Sequence, residues 1–217
     1  MTSTDLTDRC RENRAEFWRA VGEPLPAHGP VGDADEGTRW PSGASGYVRV
    51  TTVHTGIVAT DGLSDPTAEQ EPGTAPGLGV ELYVESTELV EQDLGEARWL
   101  VTALEEAAGA IAGAGESLPG ALAEHGLLSL ELSGADAPEG WAEDGRLGAL
   151  VGVPLPGRAP GFDVEGASVP VLTFSPLRPS ELAVIAAEGP EGRRRVADAL
   201  AAQGWYSYAD TQRPPVM

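Results

Sequence analysis

The chain has little positive charge. It contains no lysine, and its 14 basic residues, all arginine, face 34 acidic residues, for a net charge of −20. Nucleic-acid backbones and anionic membranes are bound by clustered basic residues, so this composition excludes a general affinity for either. A basic protein is the partner that electrostatics favours. The same composition is also typical of a genome whose codon bias favours arginine and acidic proteins, because net charge bears on association and not on fold.

Cysteine and long apolar runs are equally scarce. Cys10 is the single cysteine, so no internal disulfide can form, which fits a reducing cytosol. The stretch Met1 to Arg11 is polar and has no apolar core of the kind found in signal peptides. No window approaches the roughly 18 apolar residues of a membrane span. These features predict a cytoplasmic protein.

Catalytic signatures are missing as well. The sequence has no Gly-x-Ser-x-Gly elbow, no Walker loop and no His-Glu-x-x-His motif, and its three histidines are far apart. The sequence therefore predicts a non-catalytic chain without a cofactor. One alternative stays open, in which acids converge to hold a hard cation in a metal-dependent hydrolase. The acids that this alternative would use are Asp61, Asp65, Glu81 and Glu85.

The pattern of apolar residues predicts one domain of mixed class. Residues 1–46 read as a helix, Asp5 to Val21, and a connection rich in proline and glycine, residues 47–205 as an α+β domain, and residues 206–217 as a tail. Within the central region, strand patterns come before and after a long helical pattern from Glu96 to Ala114. At 217 residues the chain is long enough to bury a sizeable core.

Two neighbouring segments are the most informative. Thr60 to Pro66 follows a β-branched run and reads as an acidic loop. Gly77 to Glu85 alternates between apolar and polar residues, which predicts a strand with Glu81, Tyr83 and Glu85 on one face. That face is expected to be exposed and acidic. Glu81 and Glu85 would lie roughly 13 to 14 Å apart at strand rise, too far to share a ligand directly.

These segments resemble the signature region of the suppressor-of-fused (SUFU) domain family. In that family a strand opening with Gly-x-Gly-hydrophobic-Glu-Leu follows a glycine-rich loop. Phe174 to Leu182 resembles a second element of the family, a proline-containing turn followed by a Ser-Glu pair, here Ser180 and Glu181, that opens a helix. The resemblance implies an α+β fold with a mixed sheet flanked by helices and a non-catalytic role in protein binding. Bacterial members are thought to act as immunity proteins that neutralise toxins.

Charge and resemblance together lead to a binding hypothesis. Acidic side chains would steer a basic partner, an aromatic ring would anchor it, and an extended segment of the partner could add as a strand. The residues predicted to bind the partner are Asp61, Asp65, Glu81, Tyr83, Glu85 and Glu181.

Overall fold

The computed structural model of the protein describes residues 3–31, 40–67, 73–91, 93–115 and 117–217. Within these residues it contains five α-helices, eight β-strands and two short 3-10 helices. The helices are α1 (Ser3–Val21), α2 (Arg98–Ala114), α3 (Ser117–His125), α4 (Pro179–Glu188) and α5 (Pro190–Ala202). The strands are β1 (Glu23–Pro24), β2 (Tyr47–Thr51), β3 (Gly56–Thr60), β4 (Glu81–Ser86), β5 (Leu128–Ser133), β6 (Arg146–Val151), β7 (Gly161–Val164) and β8 (Ala167–Leu177).

The strands form one mixed sheet. Its order is β1-β2-β3-β4-β8-β6-β5, and β7 pairs with β8 beside this path. All pairs are antiparallel except β4 and β8, which run parallel. Because the strands come in two runs, β1 to β4 and β5 to β8, with α2 and α3 between them, and the sheet contains both pair types, the prediction of an α+β fold with a mixed sheet is confirmed.

Helices cover both faces of the sheet. The first face carries α2, whose Trp99 and Leu104 share a core with Leu82 of β4 and Phe174 of β8. The opposite face carries two separate clusters, one under α1 and one under α4 and α5. The central strand β4 is therefore buried along its whole length. A strand in this position has no solvent face, whatever its pattern of residues.

Both ends of the described chain belong to the same folded unit. Helix α1 lies over the sheet. The strand β1, which follows α1, extends the edge of the sheet by pairing with β2. The last segment, residues 203–217, crosses back to the sheet, where the Ala209 amide donates to Glu85 O at 2.9 Å. The division at residues 46 and 205 stays a prediction. Part of the predicted proline- and glycine-rich connection, residues 32–39, lies outside the described residues.

Candidate functional site

Arg14 of α1 gathers three of the predicted acids. Its side chain is almost fully buried. The distances from its guanidinium nitrogens are 2.6 Å to Asp61 Oδ1, 3.0 Å to Asp65 Oδ1 and 3.0 Å to Glu81 Oε1. Charge-assisted bonds of this kind are the strong ones in proteins. The acidic loop after β3 and the first residue of β4 are therefore joined through one arginine of the first helix.

Glu81 is the most deeply buried of these acids. Its Oε1 accepts hydrogen bonds from the Ser64 amide at 3.0 Å and the Ser64 hydroxyl at 2.6 Å, and its Oε2 accepts from Thr60 Oγ1. Burial raises the pKa of Glu81, and Arg14 and the Ser64 and Thr60 hydroxyls act in the opposite direction. Since its oxygens accept from several donors, the carboxylate organises the turn of the loop around itself.

Two further contacts of this cluster come from neighbouring residues of α1, Cys10 and Arg11. Arg11 Nη2 lies 3.1 Å from Asp65 Oδ2, on the outer side of the cluster. The Cys10 thiol donates to Ser64 O at 3.0 Å, and burial raises its pKa. A buried thiol with a raised pKa is a poor nucleophile, because the thiolate is the reactive form.

A second ion pair, between buried Glu85 and partly exposed Arg158, holds the far end of β4. Arg158 Nη2 lies 2.6 Å from Glu85 Oε2, and Thr55 Oγ1 donates to Glu85 Oε1 at 2.6 Å. Tyr83, on the same face of the strand, packs edge-on against Trp18 of α1 with ring centroids 5.7 Å apart. Both side chains of the strand are thus engaged inside the molecule.

A third buried pair fastens the last segment to α4. Arg213 donates to both carboxylate oxygens of Glu181, at 2.6 and 2.8 Å, and the Val216 amide donates to the same carboxylate at 2.9 Å. The carboxylate also accepts from the Arg178 amide at the start of α4. The guanidinium of Arg178 lies over the ring of Trp141, 4.0 Å from its centroid. Glu181 therefore caps its own helix and binds the end of its own chain.

The expectation of an exposed acidic and aromatic face is wrong. The structure buries five of the six residues predicted to bind a partner, and Asp61 alone of the six keeps a partly exposed side chain, at 29%. The reason is the position of β4, which lies between β3 and β8 and beneath helices on both faces. The prediction assigns these acids to a basic protein partner, whereas in the structure each buried acid pairs with an arginine of the chain itself. The buried five are Asp65, Glu81, Tyr83, Glu85 and Glu181.

Sequence reasoning missed the three arginines that neutralise these acids. Arg14 had a readable signal, because it lies four residues after Cys10 and three before Phe17, on the stripe of α1 predicted to be apolar. A basic residue in such a stripe needs a buried acid. Arg158 and Arg213 lie in irregular segments, where no periodicity marks which side chain turns inward.

The convergence that the hydrolase alternative required is present in part. Asp61, Asp65 and Glu81 meet, whereas Glu85 belongs to the separate pair with Arg158. Arg14 occupies the centre of the three carboxylates and supplies the positive charge there. Among the described residues no group of three or more histidine, cysteine or acidic side chains is arranged to hold a metal ion.

Exposed acids cluster elsewhere, around the hairpin that joins β5 to β6. We call residues 134–145 together with Glu106 and Glu131 the acidic hairpin. Glu106 lies beside it, because its carboxylate accepts from the Ser133 amide at 2.6 Å. The base of the hairpin carries Arg146, 3.1 Å from Glu131. The other exposed acids of the acidic hairpin are Asp136, Glu139, Glu143 and Asp144.

Comparison with known proteins identifies the fold. Neither a family model nor a curated protein matches the chain. Among solved structures, a chain of the structure described as "the Sufu-Fu complex crystal structure" matches with a TM-score of 0.54 and 13% sequence identity, over 97% of this chain and 91% of that chain. The chain therefore has a SUFU-like fold. In the part of the chain that the structure describes, no helix is both long enough and apolar enough to cross a bilayer.

Proposed function

We propose that the chain is a non-catalytic protein-binding module that recognises a basic protein partner. The fold supports this proposal, since the similar structure is described as a complex of Sufu with Fu and thus as a protein assembly. The net charge of −20 favours a partner that is positively charged. Opposite charges raise the rate of association and suppress wrong partners.

The acidic hairpin is the observation that carries the proposal. Its acids are exposed, and the ion pair of Arg146 with Glu131 leaves the hairpin strongly negative. It adjoins β5, which ends the sheet and pairs with β6 alone among the described strands. An edge strand offers unpaired backbone groups to an extended segment of a partner. The hairpin would steer a basic segment, and the edge would receive its backbone.

In this proposal, most of the residues predicted from sequence stabilise the binding surface from the interior of the protein. Asp65, Glu81 and Arg14 fix the loop 61–65, so that Asp61 is presented at the surface for contact with the partner. Glu181 plays the corresponding role at the start of α4. Their substitution would therefore weaken binding by loosening the surface, and not by removing a direct contact.

The partner class that we favour is a protein toxin, which would make the chain an immunity protein of bacterial type. Toxins that act on nucleic acid are basic because they must bind phosphate backbones. An acidic protein of this size could cover such a surface. The bacterial origin and the toxin rest on the family resemblance and on charge.

The hydrolase alternative is less favoured on one specific ground. A hard cation would need free carboxylate oxygens at the position that the Arg14 guanidinium holds. Replacing a bound arginine by a metal ion would also break three ion pairs.

The proposal is tested by using the tagged full chain as bait in a lysate of its native cells, at low and high salt. The first variant removes four charges from the acidic hairpin, and the control removes four exposed acids from α1 and α5. We expect a stoichiometric basic partner that high salt releases, that the hairpin variant loses and that the control retains. The hairpin variant is Asp136→Asn, Glu139→Gln, Glu143→Gln and Asp144→Asn, and the control is Asp8→Asn, Glu12→Gln, Glu16→Gln and Asp198→Asn.

The two variants carry the same net charge. A difference in partner binding between them therefore depends on where the acids lie and not on the total charge. A partner retained equally by both variants would remove the hairpin from the proposal. A bait without any stoichiometric partner would overturn the protein-binding function. The toxin is tested separately, by whether co-expression of the chain protects cells from the captured protein.

A further inference from the structure

Between β6 and β7 the chain leaves the sheet and returns to it. Both ends of this excursion, residues 152–160, are bonded to β8: the Gly152 amide donates to Thr173 O at 2.9 Å, and the Val171 amide donates to Pro160 O at 2.8 Å. The excursion arches over the sheet and forms one side of an open pocket of about 200 Å³. This pocket, which we call the arch pocket, is floored by β8 and by Tyr83 of β4.

The arch pocket is held open by the chain itself. Thr173 Oγ1 donates to Val153 O at 2.8 Å, and the Arg158 amide donates to Leu155 O at 3.1 Å. The part-buried ion pair of Arg158 with Glu85 ties the middle of the arch to β4. Prolines at 154, 156 and 160 restrict its backbone further. A cavity fixed in this way needs little ordering when a ligand binds.

The chemistry of the pocket is apolar with one polar end. Its walls are aliphatic side chains and prolines, and its polar end is formed by Arg158 and Tyr83. Arg158 Nε is buried and has no acceptor among the described residues. Burial raises the pKa of Tyr83, so its hydroxyl stays protonated at neutral pH. A buried donor without an acceptor costs free energy that a ligand oxygen would recover. The apolar walls include Val153, Leu155, Ala159, Pro170 and Val171.

The volume selects the kind of occupant. Pockets for drug-sized molecules and cofactors span about 300 to 1,000 Å³, whereas a cavity of about 150 Å³ takes a single benzene ring. At about 200 Å³ the arch pocket fits one large side chain. Exposed Ala159 and Pro160 belong to its lining, so the pocket opens at the surface.

We propose that the arch pocket is an anchor site that receives one large apolar side chain from the protein partner. The backbone carbonyl beside that side chain accepts a hydrogen bond from Arg158 Nε. This inference rests on the proposed function and names the subsite at which the partner is held. Buried anchors in pockets of this kind dominate binding energies at interfaces.

The test uses single capped amino acids as probes on the isotopically labelled full chain. N-acetyl-leucinamide and N-acetyl-phenylalaninamide carry the side chain and the carbonyl, and N-acetylglycinamide carries the carbonyl alone. We expect saturable shifts of the amide signals of Gly152, Arg158 and Thr173 with the first two probes and none with the third. The Nε–H signal of Arg158 is expected to move downfield, which a merely structural arginine would not show.

A matched pair of variants separates the pocket from the surface. Ala159→Phe fills the mouth of the arch pocket, and Ala187→Phe places the same ring on the exposed side of α4. Burial of an apolar side chain is worth about 1.5 to 3 kcal/mol, so Ala159→Phe should weaken probe binding about tenfold or more. Ala187→Phe should leave it unchanged. No saturable shift at any probe concentration, or equal binding by both variants, would overturn the anchor site.

The partner captured from lysate then separates this inference from the proposed function. Loss of the partner by Ala159→Phe but not by Ala187→Phe supports both. Retention of the partner by Ala159→Phe overturns the anchor site and leaves the protein-binding function standing. Probe binding by a chain that captures no partner overturns the protein-binding function, while the pocket's affinity for apolar side chains stands.

Discussion

Arg14 Nη1 lies 3.0 Å from Glu81 Oε1, and this contact joins the first helix to the central strand of the sheet. The two residues are 67 positions apart in the sequence. The net charge of the chain suggests that its acids lie on the surface. Most of the carboxylates predicted to bind a partner are instead buried. One group of acids that a partner can meet lies at the β5–β6 hairpin.

Replacing Arg14 should strongly destabilise the fold. Arg14→Met leaves three carboxylates facing one another without a positive charge, and breaking a buried pair in this way costs about 3 to 5 kcal/mol. Urea unfolding followed by tryptophan fluorescence measures the change. Arg19→Met, an exposed position on the same helix, is the control and should change the midpoint little. Equal midpoints for the two variants would show that the cluster contributes nothing to stability.

The Cys10 thiol should be protected in the native protein. Its Sγ is fully buried against Ser64 O, and its raised pKa keeps the thiolate population small. Modification by Ellman's reagent then requires the helix to open, so the native thiol should react on the order of 100-fold or more slowly than the thiol of the urea-unfolded chain. Rapid stoichiometric modification at neutral pH without urea would contradict the burial of this helix face.

Much of the fold could be predicted because its signals are local. The predicted helix Asp5 to Val21 begins within two residues of the start of α1, and the predicted strand Gly77 to Glu85 covers all of β4 except its last residue, since periodicity and turn residues depend on near neighbours. The short strands β1 and β7 were missed. A two-residue strand such as β1 has no period to detect, and β7 is defined by its pairing with β8.

The site was harder to predict because burial is a non-local property. The alternation of Glu81, Tyr83 and Glu85 with apolar residues is typical of a half-exposed strand, and nothing in the segment shows that α1 will cover the polar side. The acids could be buried there only because Arg14 and Arg158 arrive from distant segments. Buried ion pairs of this kind have no signature in sequence spacing.

The ion pair between Arg213 and Glu181, which fastens the last segment, should contribute as much to the free energy of unfolding as the Arg14 cluster. Arg213→Met leaves Glu181 buried with its charge unpaired, so we expect a loss of about 3 to 5 kcal/mol in the free energy of unfolding. Arg195→Met breaks an exposed pair with Glu188 and should have little effect. Hydrogen exchange gives a second readout, because the Val216 amide bonds to Glu181 and should exchange faster in the Arg213 variant. Unchanged exchange at Val216 would contradict this anchoring.

Alkaline pH should destabilise the protein through two buried tyrosines. Burial raises the pKa of both Tyr47 and Tyr83 above the ordinary value of about 10. In the unfolded chain these hydroxyls ionise near pH 10, whereas in the folded chain they stay protonated, so the unfolded state loses protons first. Their contribution to stability is therefore present below about pH 10 and is lost as the pH rises above it.

Absorbance at 295 nm, followed during an alkaline titration, measures this ionisation. Tyr47 and Tyr83 should titrate together with the loss of the tryptophan signal of the native state. Tyr83→Phe keeps the ring and removes the ionisable group, so it should reduce the loss of stability above pH 10. Complete titration of all tyrosines in a protein that remains folded would contradict the burial of both rings.

The last prediction concerns the binding of divalent cations at the position that the Arg14 guanidinium occupies. In the wild-type chain the guanidinium fills the space among Asp61, Asp65 and Glu81, so millimolar magnesium, calcium or manganese should leave the melting temperature unchanged. In Arg14→Met the same carboxylates have lost their cation, and a metal that binds only the folded state would then stabilise it by linkage. A gain of about 1 kcal/mol corresponds to roughly 2 to 4 °C in a chain of this size.

Differential scanning calorimetry with and without EDTA checks both parts. Arg14→Met with Asp61→Asn and Glu81→Gln is the control, because it removes two of the three charges and should lose the metal response. A wild-type chain whose melting temperature rises with metal would favour the hydrolase over the binding module. An Arg14 variant that remains folded but shows no response would mean that the three carboxylates need the guanidinium fork to stay together, and that a spherical ion cannot take its place.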